Sequence, residues 1–269
     1  MDFYSQFCVP PDTTVDLAAY DPESTDGITD KAVAKALLEA DVKRLDKLQY
    51  LLYAENRRSL LIVLQGMDAA GKDGAIRSVM RGVNPQGTRV TSFKKPSAEE
   101  MDHDYLWRIH EAVPRRGNIG IYNRSHYEDV LVVRVHNLVP EAVWSQRYDQ
   151  INRFEQNLAE NDVVILKFFL HISKEEQKRR FQKRLQDPKR HWKISEADFA
   201  ERKYWDDYTE AFETLLSRCS TEWAPWFVIP SDNKWFRSVA VSRIIVETLE
   251  GLDMQLPPPT VDVSKIVLE

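Results

Sequence analysis

Cysteine is scarce: Cys8 and Cys219 are the only two in 269 residues, and they match neither a disulfide framework nor a metal-ligand spacing. Both read as inert thiols, and a reducing compartment, the cytoplasm, is expected. No apolar run approaches the roughly 20 residues needed to cross a bilayer. The opening "MDFYSQFCVPPDTTVD" lacks the basic start and apolar stretch of a secretory leader, so neither membrane nor export is expected. A strong overall charge is missing too. The net charge of −5 argues against a protein that coats nucleic acid, and no nucleic-acid partner is expected. What remains, 43% hydrophobic and 29% charged residues, is an ordinary globular composition, long enough to bury a sizeable core.

Residues 1–29 are rich in Pro, Asp, Thr and Ser and read as an extended arm, wrapping the domain or the next subunit. From Thr29 to about Asn56 the apolar residues recur at helical spacing. Strands and helices then alternate. Strands are expected at 59–66, 88–93, 118–123, 162–172 and 225–230, with helices from about Lys72, over 97–113, 140–160, 195–219 and 233–250. Ser97 with Glu100 three residues on forms a capping box. Such alternation specifies an α/β fold, a five-stranded parallel sheet in three αβα layers, and one domain over residues 30–269. The tail "QLPPPTVDVSKIVLE" cannot continue a helix through three prolines and is expected along the surface.

"GMDAAGK", Gly66 to Lys72, has the spacing G-x-x-x-x-G-K directly after a buried-strand pattern and before a helix. That is the context of a phosphate-binding loop. Its glycines let backbone N–H groups converge on an oxyanion, the helix N-terminus adds its positive end, and Lys72 supplies a point charge. Gly66, Ala69, Ala70, Gly71, Asp73 and Gly74 are therefore expected around the phosphates. The loop is unusual in its carboxylates, Asp68 inside it and Asp73 where Ser or Thr is customary. Carboxylates beside phosphates repel them unless a divalent cation intervenes, so magnesium is implied, with manganese as the alternative and Asp68 as the first ligand. Asp73 either assists or caps the helix.

The third strand ends in "YNRSHYEDV", residues 122–130, at the edge where open α/β sheets bind ligands. Arg124 is expected to stabilise charge on a transferring phosphoryl group, and a carboxylate here to hold the metal or orient the acceptor. The structural alternative pairs Arg124 with Glu128 or Asp129. For His126 the plainer reading, a hydrogen-bonded histidine beside the site, is favoured. After the fourth strand, residues 174–193 carry nine Lys or Arg against three Asp or Glu, a net of +6 in an acidic chain. A basic helical lid over a polyanion is expected there, with Lys94 and Lys95 guiding the same polymer.

Together, "GMDAAGKDGAI", "VNPQG", "DYLWRIHEAVPRRG", "YNRSHYEDVLVVRV", "FFLHISKEEQKRRFQKRLQDPKRHWKIS" and "KYWDDYTEAF" resemble the polyphosphate kinase 2 family over most of the chain. The resemblance implies a thymidylate-kinase-like P-loop kinase fold with a lid, magnesium, and reversible phosphoryl transfer between inorganic polyphosphate and nucleotides. It also implies a homo-oligomer, dimer or tetramer. By the same resemblance Asp68 and Lys72 match the loop's Asp and Lys, and the run containing Arg179, Arg180, Lys183 and Arg184 matches the lid. Much of the family reads Asp-Arg-Ser-Trp-Tyr-Asn where this chain has Asn123-Arg124-Ser125-His126-Tyr127-Glu128, leaving Asn123, Glu128 or Asp129 as second metal ligand. This variant is similar to the branch that accepts AMP as well as ADP, with ATP as product and guanine nucleotides as further acceptors. The rival readings are an ATP-dependent nucleoside monophosphate or deoxynucleoside kinase, and a non-catalytic nucleotide-dependent regulator or nucleic-acid-binding ATPase.

Overall fold

A computed structural model describes residues 2–194 and 196–266. Among these described residues six strands form one sheet: β1 (Cys8–Val9), β2 (Ser59–Gln65), β3 (Thr88–Ser92), β4 (Ile119–Asn123), β5 (Val163–His171) and β6 (Trp226–Pro230). Their order is β1-β6-β5-β2-β4-β3. Every pairing from β6 to β3 is parallel, as the alternating pattern requires. The sixth strand corrects the expectation of five. Cys8 and Val9 pair antiparallel with Phe227 and Trp226 and cover what would otherwise be an exposed edge. Two residues inside a Pro- and Asp-rich segment carry no period-2 pattern, so the strand leaves no sequence signal.

All seven residues of β2 are buried, because helices cover both faces. Leu60, Ile62 and Leu64 join one apolar layer with α2 (Lys31–Glu55), α3 (Lys72–Val79) and α11 (Lys234–Glu250). Leu61 and Val63 join the other with α5 (Trp107–Glu111), α7 (Glu141–Glu160) and α10 (Trp205–Cys219). Each such buried aliphatic side chain contributes about 1.5–3 kcal/mol. Asp30 caps α2 through the Ala32 N–H at 2.7 Å, and Asn56 ends it in a left-handed conformation at φ +50°.

The first residues fold back on the same chain. Phe3 and Phe7, on the short helix α1 (Phe3–Phe7), pack on Phe236 of α11 at 6.0 Å between ring centres. The Val15 and Leu17 N–H groups donate to Ser217 and Glu213 of α10, both at 2.8 Å.

Two expected helices are broken. Residues 97–113 form α4 (Ala98–Asp102) and α5, since Asp104 caps a new turn through the Leu106 N–H at 2.9 Å. The capping box of Ser97 and Glu100 is present at the start of α4. The expected 195–219 helix is a short α9 (Glu196–Ala200), a tight turn, and then α10; Ser195 lies outside the described residues. The basic segment is α8 (Lys174–Leu185) and a tight turn over Pro188–Lys193. Between β4 and α7 lies a four-residue helix, α6 (Val132–Val135).

Candidate active site

Where β2 ends, the chain turns at once into the loop Gly66–Lys72. Gly66 has φ +148°, and a Cβ there would sit 2.8 Å from the Leu170 carbonyl oxygen, so only glycine lets the loop leave the sheet. Gly71, which opens α3, has φ +108°, and its Cβ would fall 2.0 Å from Arg237 Nη1. Ala69 is left-handed as well, at φ +63°. Lys72, Asp73 and Gly74 follow as the first turn of α3, where backbone N–H groups have no intrahelical acceptor and attract an oxyanion. Lys72 Nζ donates to the Gly66 carbonyl at 2.7 Å. Burial, and then the nearby Arg124 cation, push its pKa down to about 8, against the opposing pull of Asp68, Glu128 and Asp73.

Strand β4 runs beside β2 and delivers the second set of groups. Its last residue, Asn123, donates through Nδ2 to Asp73 Oδ1 at 2.8 Å, tying the strand to α3. Arg124 takes a left-handed φ of +63°, a conformation uncommon for a side-chain-bearing residue and typical of functional turns. Its Nη2 donates to Asp68 Oδ1 at 2.7 Å, while Nη1 lies 3.7 Å from Glu128 Oε2. Asp68, Arg124 and Glu128 thus line one cleft. Asp129 turns elsewhere, to Arg147 of α7 at 3.1 Å, and burial pushes its carboxyl up to about 6 despite that arginine.

The turn that aims these residues is anchored from below. His126 and Glu155 are fully buried, with Nε2 3.0 Å from Oε1. Tyr127 donates to the same carboxylate at 2.9 Å, and buried Lys167 pairs with it from β5. Lys167 also donates to Tyr127 Oη at 2.8 Å and to the Cys219 carbonyl at 2.7 Å. Burial raises the Glu155 pKa, but Lys167 and His126 outweigh it and hold the carboxyl below its ordinary value.

Helix α8 docks on the loop from the other side. Gln177 Nε2 donates to the Asp68 carbonyl at 2.9 Å. Arg180, expected from sequence among the phosphates, has all five N–H groups engaged elsewhere. Nε donates to Glu176, Nη1 to the Ala69 and Ala70 carbonyls at 2.8 and 2.9 Å, and Nη2 to the Ser231 and Asp232 carbonyls at 2.6 and 3.0 Å. It therefore fixes the loop's shape from behind. Arg179 pairs with Glu176 and is largely exposed, Lys183 is exposed, and Arg184 lies 3.7 Å from Asp198 of α9. Lys94 and Lys95 are exposed beyond the end of β3, with the Lys94 carbonyl accepting from Arg108 at 2.9 Å.

One wall of the cleft is apolar, made by Leu131, Val132, Trp205 and Phe212, while Gln65, Gln177, Glu201 and Arg202 add polar groups to its lining. At its rim Tyr208 donates to Glu201 at 2.9 Å. Sequence reasoning did not single out Gln177, Glu201, Tyr208 or Arg237. Gln177 lies in the expected lid and Tyr208 in "KYWDDYTEAF", while Arg237 is marked only as a basic residue in the apolar stretch of α11. Among the described residues no group of three His, Cys, Asp or Glu converges as a ready-made metal cage. No helix among them is long and apolar enough to cross a membrane.

The family model of polyphosphate kinase 2 matches residues 28–257. The chain is 52% identical over 265 residues to the AMP/ADP-polyphosphate phosphotransferase of Meiothermus ruber, covering 98% of this chain and 99% of that one. It is 47% identical to the ADP-polyphosphate phosphotransferase of Rhodopseudomonas palustris, covering 95% and 92%. The crystal structure of polyphosphate kinase 2 from Arthrobacter aurescens TC1 superposes with a TM-score of 0.94 at 44% identity, over 97% of this chain and 94% of that one. With its phosphate loop at the carboxyl edge of a parallel sheet and these likenesses along nearly its whole length, the chain belongs to the polyphosphate kinase 2 family.

Proposed function

We propose that the protein is a polyphosphate-dependent nucleotide kinase, moving phosphoryl groups reversibly between inorganic polyphosphate and ADP or AMP. The observation that carries the reading is the cleft in which Asp68, Arg124 and Glu128 meet the phosphate loop, in a chain so similar to relatives with those activities in their names. Its apolar half suits a nucleoside, while the exposed cations Lys94, Lys95, Arg179 and Lys183 suit a polyanionic donor.

In this mechanism Lys72 and the amides at the start of α3 hold the phosphates flanking the transferred group. The P–O bond to the departing polyphosphate breaks as one forms to an acceptor phosphate oxygen, already ionised near neutral pH, so no protein base is required. Arg124 neutralises charge gathering on the transferred oxygens. Two carboxylates on one open cleft, without a full protein cage, fit magnesium, which keeps waters and binds with phosphates. Asp68 and Glu128 would hold it, and it would offset phosphate charge. The part of helix α8 beyond Arg180, with the turn after it, acts as a lid, hinged on the start of the helix that Gln177 and Arg180 hold against the loop. We further propose a cytoplasmic homo-oligomer; exposed Tyr50 and Tyr53 on α2 support an interface there.

The test is ATP formation from ADP with polyphosphate as sole donor and magnesium present, run beside AMP with ATP as donor and with guanine nucleotides as acceptors. Transfer from ATP alone would replace this reading with that of a nucleotide kinase.

A further inference from the structure

Behind the phosphate loop lie two buried guanidiniums with unequal compensation. Arg180 has Glu176 as counter-charge, at 2.7 Å. Arg237, in the first turn of α11, is only 3% exposed, and among the described residues no carboxylate lies within 4 Å of it. Among the described residues the one hydrogen bond of its guanidinium runs from Nη1 to the Ala70 carbonyl at 3.1 Å, and its Nε is buried without a partner there. Ala70 already has Arg180 on the same carbonyl, so Arg237 is not needed to satisfy it. Nor is the position roomy. The guanidinium presses on Gly71 of the loop and Gly74 of α3, with Nη1 and Nη2 at 2.0 and 3.1 Å from where their Cβ atoms would be. A buried unpaired cation is strongly unfavourable. Burial, with Arg180 adding to it, also pushes this arginine's pKa down to about 10.

We propose that Arg237 is a positioning and charging residue for the phosphate loop: it holds an uncompensated positive charge against the back of the loop, and the counter-charge is the phosphate bound on the front. The cation makes the folded protein less stable than an apolar replacement would, and that cost is recovered as phosphate affinity when an anion arrives. Binding energy is thus set by a residue that touches no substrate. The inference rests on the loop taking phosphates, as the proposed function has it, and on nothing else in that function.

The experiment measures melting temperature with and without tripolyphosphate, at fixed free magnesium, for the wild type, Arg237→Met and Arg237→Lys. In the wild type tripolyphosphate raises the melting temperature. Arg237→Met is expected to melt no lower than the wild type without the anion, to lose most of the shift, and to bind tripolyphosphate on the order of tenfold more weakly. Arg237→Lys, which keeps a cation, recovers most of the shift. A merely structural arginine would behave oppositely, lowering the anion-free melting temperature while leaving the shift intact. That result, or an Arg237→Met protein that fails to fold, overturns the proposal. A wild type that does not respond to tripolyphosphate would instead refute the phosphate-loop reading itself.

Discussion

The most informative perturbation of the loop is pH, because in the proposed mechanism Lys72 meets phosphate as an ammonium and its pKa is displaced toward the working range. Burial and the neighbouring Arg124 bring it to about 8, from an ordinary value of 10.5. The folded free enzyme therefore gives up this proton more readily than the unfolded chain does. Below about pH 8 the ammonium is present; above it, each further pH unit removes about nine-tenths of what remains. On this reasoning kcat/KM, which reports the free enzyme, falls about tenfold per unit from near pH 8. Nucleotide and polyphosphate oxygens are already ionised there, so the limb belongs to the protein. With substrate bound, phosphate charge raises the pKa again, and kcat should hold to a higher pH than kcat/KM. Steady-state rates of ATP formation from ADP and polyphosphate between pH 6.5 and 9.5 provide the assay, with Lys72→Arg as control. Arginine cannot lose its charge in this range, so the variant, though slower, should lack the alkaline limb. A flat kcat/KM to pH 9.5 in the wild type, or an unchanged limb in Lys72→Arg, refutes the reasoning.

Two further predictions probe the carboxylates. Asp68→Asn removes the charge that faces Arg124 at 2.7 Å and the proposed first magnesium ligand, so turnover should drop at least about 100-fold while the circular dichroism spectrum and melting temperature stay near wild type. Near wild-type activity in the folded variant would show that the mechanism is misassigned. Glu155→Gln leaves Lys167 buried without its counter-charge, which should cost about 3–5 kcal/mol in denaturant unfolding and loosen the turn that carries Arg124. A loss below about 1 kcal/mol would mean that Lys167 is neutral or finds another partner.

What could be read from the sequence was local. The loop, its strand and its helix are contiguous, and the capping box at Ser97 spans four residues, so chain order alone places them. Arg124 was legible because "YNRSHYEDV" follows a strand whose end faces the ligand edge. The supports were not legible, because they join residues far apart in sequence. Arg180 reaches Ala70 from 110 positions away and Arg237 from 167. A basic run says where positive charge is plentiful, not which arginine turns inward, and Arg180 turns inward beside the exposed Arg179. The lysine inside the apolar run "DVVILKFFLHI" was a visible anomaly, but its partner Glu155 sits on a helix with charges all along it. Strand β1 escaped because two residues carry no periodicity.

The central claim is the donor, and phosphorus NMR tests it most directly. Purified protein is followed with magnesium, AMP and polyphosphate, no ATP being present at the start. The account predicts that polyphosphate resonances shrink while those of ADP, then of ATP, grow, and that Lys72→Ala shows neither change. Nucleotides that stay as AMP under these conditions, yet are phosphorylated once ATP replaces polyphosphate, would contradict it.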